Sequence, residues 1–441
     1  MDILQQIAFT LVLIIGCYLF YRQARGIYRN IMLGRKEDLT DRPAERWKKM
    51  LLIAFGQKKM FKRPIPAIFH FFIYAGFILI NIEVLEIVFD GIFGTHRAFS
   101  PYLGGIYVAA IGFFELLAVL DITASIVFLS RRWIVRIKRF HAREMVGWPS
   151  KDATLILTFE ITLMIAILLM NAADAALILK HPEEGHVAGY LVSSLLAPLL
   201  VGLSDTALII LERVAWWAHF VGILGFLNYL PKSKHLHIML AFPNTYFSRL
   251  KPQAEFNNMP EITREIKAMM DPNAAYSAPE GDAAPPKFGA KDVYDLSWKN
   301  LLDAYSCTEC GRCTSSCPAN ITGKLLSPRK IMMDTRDRLE EVGRNLDQHG
   351  PDYRDNKQLL GDYILVEELR ACTTCQACVE ECPVNINPLD IIVQMRRALI
   401  MEDSNSPEEW NLMSSNIENN AAPWQFSQQD RDKWVTELVK N

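Results

Sequence analysis

Five long apolar stretches in the first 240 residues constrain the fold of this chain more than any other feature. They cover roughly residues 3–21, 65–88, 103–130, 153–179 and 207–231. A helix needs about 20 largely apolar residues to cross the hydrocarbon core of a membrane. Because every backbone polar group in lipid must bond within the structure, these stretches predict five spanning helices. A sixth stretch, 188–204, is short and contains Pro198, and it predicts an interfacial or re-entrant segment.

The composition divides the 441 residues into two unlike halves. Half of the residues are hydrophobic and the formal net charge is -2, which points to neither a nucleic-acid-binding protein nor a disordered chain. Eight of the nine cysteines lie between positions 307 and 382, beyond the apolar stretches. We therefore expect a membrane domain over 1–250, a linker over 251–292, a soluble domain over 293–400 and a partner-binding tail over 401–441.

Lysines and arginines indicate how the predicted helices are oriented. Residues 22–63 carry thirteen of them and residues 131–143 carry six, whereas the opposite loops, 91–102 and 180–189, carry one each. Loops rich in positive charge face the cytoplasm. Five crossings of a bacterial inner membrane then place the N-terminus outside and the cysteine-rich half in the cytoplasm, where cysteines stay reduced and bind metals.

The cysteines form two runs with the same spacing, C-x2-C-x2-C-x3-C-P. In this pattern three cysteines of a run bind one iron-sulfur cube and the fourth reaches the other cluster. One 4Fe-4S cluster is therefore predicted at Cys307, Cys310, Cys313 and Cys382, and a second at Cys372, Cys375, Cys378 and Cys317. A zinc site takes four ligands, usually as two separated pairs, and does not account for two identical runs. The residues between the runs favour helices, so this domain is expected to be an all-α, ferredoxin-like dicluster domain.

Three histidines form a second pattern. His70 lies about one turn inside the second predicted helix on its cytoplasmic side, and His219 and His237 lie in and just beyond the fifth. Eighteen residues separate the last two, which is five helical turns, or about 27 Å on an unbroken helix. A b-type haem needs two axial ligands at similar depth on facing helices, and His70 and His237 meet this condition. Each also has an ordinary interpretation, His70 as a core residue and His235 and His237 as members of a basic cluster.

Ionisable residues within apolar stretches are costly and mark function by default. Glu83, Glu86 and Asp174 lie near the outer ends of their predicted helices. For these three, a solvated position among lipid headgroups and a proton or quinone site are both open.

The five-helix layout and the histidines of the fifth helix resemble a known family, the b-haem gamma subunit of respiratory nitrate reductase and its relatives in membrane-bound heterodisulfide-reductase-type complexes. The resemblance implies an all-α bundle of five spanning helices with haem ligands at His70, His219 and His237. The family's fourth ligand position falls on Ile80, which cannot bind iron. One haem, at His70 and His237, is therefore implied, and His219 is left either as a ligand of a second haem or as a partner of a quinone.

The tail carries a further resemblance. Residues 414–434, SSNIENNAAPWQFSQQDRDKW, are similar to the segment that precedes the CCG domains of heterodisulfide-reductase D-like and glycolate-oxidase iron-sulfur proteins. No cysteine follows Cys382, so we expect CCG domains on a separate cytoplasmic protein of the same complex. Together the resemblances imply an electron-transfer subunit that connects such a protein, or a flavoprotein dehydrogenase, through two 4Fe-4S clusters and haem b to a quinone such as menaquinone. His219, Glu83 and Arg213 are the expected neighbours of the quinone.

Two other functions stay open at this point. An ion-translocating protein would use Glu115, Asp121 and Glu160 as a relay through the membrane, and a membrane-tethered redox sensor would carry the clusters without a haem. The soluble half has no glycine-rich phosphate loop and no nucleophile with a nearby base motif. Its sequence therefore favours electron transfer over chemistry on a substrate.

Overall fold

A computed structural model describes residues 3–182, 189–252, 255–270, 287–425 and 427–439. These residues contain helices and no β-strand, so the all-α prediction is confirmed. Parts of the predicted linker (253–254 and 271–286), of one outer loop (183–188) and of the predicted tail (426 and 440–441) lie outside the described residues.

The helices follow the chain without interruption by any sheet. Those of the membrane half are α1 (Ile3–Ile31), α2 (Pro43–Met50), α3 (Pro64–Phe93), α4 (Ser100–Leu103), α5 (Gly105–Trp133), α6 (Trp148–Lys180), α7 (Ser193–Leu200), α8 (Asp205–Tyr229) and α9 (His237–Tyr246). Those of the cysteine half and its flanks are α10 (Pro260–Met270), α11 (Trp298–Tyr305), α12 (Arg312–Ser315), α13 (Pro318–Ile321), α14 (Pro328–His349), α15 (Leu359–Asp362), α16 (Val366–Arg370), α17 (Ala377–Glu381), α18 (Pro388–Met401), α19 (Glu408–Asn420) and α20 (Lys433–Leu438).

Within the described chain, five helices are long and apolar enough to cross a membrane: α1, α3, α5, α6 and α8. They match the five predicted spans and mark the chain as a membrane protein. The sixth apolar stretch forms only α7, whose eight residues are too few to span. The backbone N–H groups of Val192 and Ser193 at its start donate to Glu115 of α5, at 2.7 and 3.2 Å, which holds this short helix against the bundle.

Helix α1 is longer than its apolar stretch because its last turns belong to the core of the cysteine half. Ile31 is 5% exposed and packs in that core. Asn30 donates to the Tyr305 hydroxyl at 3.1 Å, and Arg29 forms an ion pair with Asp347. Helix α1 therefore contributes to both halves of the molecule.

The fifth spanning helix ends before His237, as predicted. Helix α8 ends at Tyr229, two 3-10 turns follow (Leu230–Lys232 and Lys234–Leu236), and α9 begins at His237. Pro231 has no N–H to continue the helix, and Ser233 is extended, with φ -121° and ψ 149°. The helix is therefore broken between His219 and His237, and the distance calculated for an unbroken helix does not apply.

The core of the cysteine half reaches into the predicted linker. Ala290 is 1% exposed, and its N–H donates to the carbonyl oxygen of Gln394 at 3.1 Å. Both carboxylate oxygens of Asp292 accept from Arg338, at 2.9 and 2.7 Å. The last residues of the segment 251–292 thus pack as part of the soluble core.

Candidate functional site

His70, near the start of α3, and His237, at the start of α9, lie beside each other. Their ring centres lie 6.4 Å apart and their ring planes are inclined by 44°. A metal ion midway between two imidazoles, with bonds of about 2 Å to each nitrogen, requires ring centres about 6 Å apart. The spacing of this pair therefore fits two imidazoles that would hold one iron ion between them.

Each of these imidazoles is held through its Nδ1 atom. His70 Nδ1 lies 3.1 Å from Oε1 of Gln57, and His237 Nδ1 lies 3.1 Å from the carbonyl oxygen of Lys234. Because both partners are oxygen acceptors, Nδ1 carries the proton in each ring and Nε2 keeps its lone pair for a metal. Sequence reasoning missed Gln57, and its only signal was its position just before α3.

A third imidazole lies beside this pair. The ring centre of His235 is 5.2 Å from that of His237, and its Nε2 lies 3.4 Å from Oε1 of Glu160. The interpretation of His235 as a member of a basic juxtamembrane cluster is wrong, because its side chain is only 12% exposed and lies inside the protein.

His219 lies deeper in the bundle and is 1% exposed. Its Nδ1 donates to the carbonyl oxygen of Leu163 at 2.9 Å, and its Nε2 is buried without a hydrogen-bond partner. A buried nitrogen of this kind has a lone pair that can accept a hydrogen bond or bind a metal. Ile80, which occupies the position of the missing fourth ligand, is 4% exposed and packs in the apolar core of the bundle.

The carboxylates of the bundle fall into two sets with different surroundings. Ser125 Oγ lies 3.2 Å from Asp121 Oδ1 and 3.4 Å from Glu160 Oε2, so these three side chains form a buried polar chain that ends at His235. Glu115 instead accepts from Asn171 and from the N–H groups at the start of α7. These hydrogen bonds anchor α6 and α7 to α5, so Glu115 has a structural role. It does not belong to the polar chain of Asp121, Ser125 and Glu160, with which the sequence had grouped it.

Glu83 and Glu86 are buried, contrary to a position among lipid headgroups. Both are 4% exposed, because the loop after α3 folds Arg97 back over them. Arg97 lies 3.3 Å from Glu83 and 2.6 Å from Oδ1 of Asn171, and the Tyr107 hydroxyl donates to Glu86 at 2.8 Å. Arg97 therefore compensates the burial of Glu83, and hydrogen bonds from the Phe99 N–H and the Tyr107 hydroxyl satisfy Glu86.

The fourth cysteine of each run lies among the first three of the other run. Burial raises the pKa of Cys382 to about 12, and the neighbouring thiols that act on it are Cys310 and Cys307. Burial likewise raises the pKa of Cys378 to about 12, with Cys372, Cys317 and Cys375 as its neighbours. Buried thiols with raised pKa values stay protonated unless a metal holds them as thiolates. The two groups are those predicted for the two clusters, and their role as ligands stays a prediction.

The backbone winds in the same way in both runs. The second residue after the first cysteine has a positive φ in each run, 53° at Glu309 and 57° at Thr374, and so does the fourth, 69° at Gly311 and 62° at Gln376. These left-handed residues turn the loop tightly around one centre. A cavity lined by Cys307, Cys310, Cys313 and Cys382 lies inside the first loop.

A polar bridge connects the first cysteine run with the paired histidines. Glu309, between Cys307 and Cys310, forms ion pairs with Lys234 and with Arg336, the latter at 2.7 Å. Lys234 is the residue whose carbonyl oxygen holds His237. The second group of cysteines, by contrast, reaches the surface, where Cys375 is exposed.

Comparisons with known proteins agree with the cysteine half and extend to the membrane half. The family described as a 4Fe-4S dicluster domain matches residues 306–386. A protein of Bacillus subtilis strain 168 named "Probable iron-sulfur-binding oxidoreductase FadF" is 29% identical over 97% of this chain and 60% of its own length. The EtfAB:quinone oxidoreductase of Syntrophomonas wolfei subsp. wolfei is 26% identical over 90% of this chain and 55% of its own length.

A third relative matches a smaller part of the chain. It belongs to the ferredoxin/F(420)H(2)-dependent CoB-CoM heterodisulfide reductase of Methanosarcina acetivorans and is 35% identical over 24% of this chain and 53% of its own length. No solved structure matches the chain. The chain thus spans little more than half the length of these relatives. Residues 306–386 form a 4Fe-4S dicluster domain, and the chain is a homologue of iron-sulfur oxidoreductases over at least nine tenths of its length and of a heterodisulfide reductase subunit over about a quarter of it.

Proposed function

We propose that this chain is the membrane-bound electron-transfer subunit of a quinone oxidoreductase related to heterodisulfide reductase. In this proposal it passes electrons between a cytoplasmic redox partner, two 4Fe-4S clusters, haem b and menaquinone. The clusters and the haem supply single-electron transfer when bound, and any chemistry on a substrate belongs to the partner. The observation that carries the proposal is the polar bridge from Glu309 through Lys234 to His237, because it joins the two metal-binding patterns of the sequence.

For the direction of electron flow we infer transfer towards quinone, from a flavoprotein dehydrogenase or from a protein with CCG domains. One relative whose name pairs EtfAB with quinone supports this inference. The exposed Cys375 supports entry of electrons at the second group of cysteines, because the first group lies against the membrane half.

The contacts between the halves support the proposed topology. Lys62 and Arg63, from the basic loop before α3, pair with Glu380 and Glu381 of the cysteine half. Glu144, from the other basic loop, pairs with Arg329 at 2.6 Å. Both basic loops thus lie on the side of the cysteine half, as expected if that side is the cytoplasm of a bacterium and the N-terminus lies outside.

For the quinone we infer a position beside Nε2 of His219. Since Nδ1 of His219 donates to Leu163, the neutral ring offers only an acceptor at Nε2. A hydroxyl group of the reduced quinone can donate to it, whereas a quinone carbonyl cannot. The site therefore favours the hydroquinone, the product of quinone reduction. Glu83 and Arg213 are less suited as partners, because Arg97 and Glu212 already engage them.

The test is a reduced-minus-oxidised visible spectrum of the purified protein, with haem and iron quantified. We expect one haem and about eight non-haem irons per chain. His70→Ala and His237→Ala should lose the haem, and His219→Ala should keep the haem but lose quinone reduction. A wild-type protein without haem would refute the proposal in favour of a redox sensor, and two haems would require a second partner for His219.

A second function is favoured by the polar chain of Asp121, Ser125 and Glu160. This chain runs inside the bundle between α5 and α6 and could carry protons during quinone reduction. If so, Asp121→Asn and Glu160→Gln should abolish proton-gradient formation in vesicles while electron transfer continues. Ser130→Ala, on the same helix as Asp121 but outside this chain, is the control. Unchanged proton movement in both variants would exclude ion translocation by this route.

A further inference from the structure

A cavity of about 100 Å³ lies between the loops of the membrane half and the cysteine half. The membrane half contributes Lys49, Lys59 and Arg249 to its wall, and the cysteine half contributes Lys299 and Asn385. One buried water needs about 10–15 Å³ of such space, so this junction cavity has room for a group the size of phosphate. Its lining includes neither of the paired histidines and shares no residue with the cavity inside the first cysteine run.

The junction cavity is lined by more cations than carboxylates. Its cations are Lys49, Lys59, Arg249, Lys251 and Lys299, and its carboxylates are Glu37, Asp303 and Asp390. Asp303 is paired with Lys299 at 2.6 Å, and Asp390 accepts hydrogen bonds from the amides of Asn257, Asn300 and Gln394. Among the described residues, no carboxylate lies within ion-pair distance of Lys49 or Arg249. Lys59 pairs with Glu380 and Lys251 with Glu255, which leaves Lys49 and Arg249 as the cavity cations without an ion pair in the described part of the chain.

Two buried donors at the junction cavity have no acceptor. Nη2 of Arg249 and Nδ2 of Asn385 are both buried and lack a hydrogen-bond partner. Both residues line the cavity, and they come from opposite sides of it. Buried polar groups are nearly always paired, so two unpaired donors facing one basic cavity indicate an anion with several acceptor oxygens.

The burial of Lys49 and the nearby Lys59 cation both affect the pKa of Lys49. Its ammonium group donates to the carbonyl oxygen of Arg249. Burial lowers the pKa of Lys49 to about 8, and the nearby Lys59 cation contributes to this lowering. An anion in the cavity would relieve both effects, because it would offset the repulsion and pair with the buried charge.

The junction cavity lies at the level of the membrane surface. Lys49 belongs to α2, which runs directly into a helical turn at Leu51–Phe55. Trp47, Leu51 and Phe55 of this segment are 54%, 51% and 56% exposed, and α3 enters the membrane from Pro64. A half-exposed apolar segment beside the start of a spanning helix is typical of an interfacial helix. Basic pockets at the cytoplasmic surface bind the headgroups of anionic lipids.

We propose that the junction cavity binds the phosphate group of an anionic phospholipid. The phosphate oxygens accept from Lys49 and Arg249 on the membrane side and from Asn385 on the cysteine side. The lipid thereby joins the dicluster domain to the membrane domain next to Val379, which lies between Cys378 and Cys382 and accepts from Lys59 at 3.3 Å. Inorganic phosphate offers the same chemistry without the anchor in the bilayer.

The first test uses the full chain, purified in detergent and stripped of lipid. Short-chain phosphatidylglycerol should raise the melting temperature by about 3–5 °C, whereas phosphatidylcholine should not. Lys49→Gln and Arg249→Gln should remove the rise, and Lys48→Gln, which makes the same charge change one residue away on the exposed side of α2, should keep it. Equal responses to both lipids, or equal loss in the Lys48 and Lys49 variants, would overturn the proposal.

The second test needs no variant and separates the two sources of phosphate. Because its pKa is lowered, Lys49 should react with an amine-acylating reagent at pH 8 faster than the exposed Lys48, as mass spectrometry of the labelled peptides can measure. Phosphatidylglycerol should protect Lys49 at least about fivefold and leave Lys48 unprotected. Protection by inorganic phosphate to the same extent and at the same concentration would identify free phosphate as the ligand and overturn the lipid assignment. No protection of Lys49 by either would exclude the site.

Discussion

At the scale of single residues, some side chains of the site can be recognised from the sequence and others cannot. His70 and His237 stand out because an imidazole in or beside an apolar helix is rare and costly. Gln57 does not stand out, although its contact with Nδ1 decides which nitrogen of His70 can bind a metal. It reaches His70 because its own backbone is left-handed, with φ 49°, which turns the loop towards α3.

Replacing Gln57 tests this role directly. Gln57→Leu removes the acceptor, so we expect a 10- to 100-fold loss of haem affinity. Gln57→Glu keeps an acceptor and strengthens it, which should lower the midpoint potential of the haem by making His70 more basic. Redox titration of the haem spectrum measures both effects. Lys58→Gln is the neighbouring control, and equal potentials in all three variants would remove Gln57 from the site.

At the scale of elements, the break between α8 and α9 decides where His237 lies. Pro231 and Ser233 permit the break, and Asp152 at the start of α6 holds it in place. Asp152 accepts from the Tyr229 hydroxyl, from Ser233 Oγ at 2.8 Å and from the N–H of Lys234 at 3.1 Å. An acidic side chain on one helix thus shapes the turn that presents a histidine from another.

Removing Asp152 should therefore disturb the proposed haem site, although Asp152 does not contact His70 or His237. In Asp152→Ala the Ser233 hydroxyl and the Lys234 amide lose their acceptor, and the carbonyl that holds His237 is no longer positioned. We expect haem affinity to fall about tenfold, with the cluster iron unchanged. Haem and iron analysis of the purified variant measures this. Lys151→Gln, at the neighbouring exposed position, serves as the control, and full haem retention in Asp152→Ala would contradict the role of the break.

At the scale of the whole molecule, buried ion pairs join the two halves. Arg329, at the start of α14, is fully buried and pairs with Glu144 of the basic loop before α6. Glu309 pairs with Lys234 on the other side of the first cysteine run. Breaking a buried pair leaves a charge without compensation and costs about 3–5 kcal/mol.

The pair of Glu144 and Arg329 should make this junction sensitive to acid. Burial acts to raise the pKa of Glu144, but the Arg329 cation and the hydrogen bonds from Ser327 and Arg329 outweigh it, so the pKa lies below its ordinary value. A depressed carboxyl pKa contributes stability above the ordinary pKa, and this contribution is lost as the pH falls through the value in the folded protein.

Glu144→Gln should accordingly speed amide hydrogen exchange around residues 139–145 and 327–333 at pH 7. The difference from the wild type should shrink only as the pH falls through the lowered pKa of Glu144 in the folded protein, because the wild-type carboxyl then becomes neutral as well. Glu409→Gln, at an exposed position of α19, is the control. A difference that persists unchanged at low pH would show that the charge of Glu144 does not hold the junction.

The sequence by itself determined the class of structure and the two metal-binding patterns. Spanning helices are predictable because their cause is local: about 20 consecutive apolar residues have no other way to satisfy their backbone in lipid. The cysteine runs are predictable for the same reason, since their spacing sets the size of the loop around a cluster. His70 and His237 could be paired because the sequence places both at a similar depth relative to the predicted spanning helices.

Only the tertiary structure decided the surroundings of these residues. It broke the fifth helix at Pro231, buried Glu83 and Glu86 beneath Arg97 and brought His235 beside Glu160. It also directed Arg249 and Asn385, 136 positions apart in the chain, into one cavity. These arrangements depend on contacts between residues that are separated in the sequence. Which separated residues meet is decided by the packing of the whole chain, and a local sequence pattern carries no information about that packing.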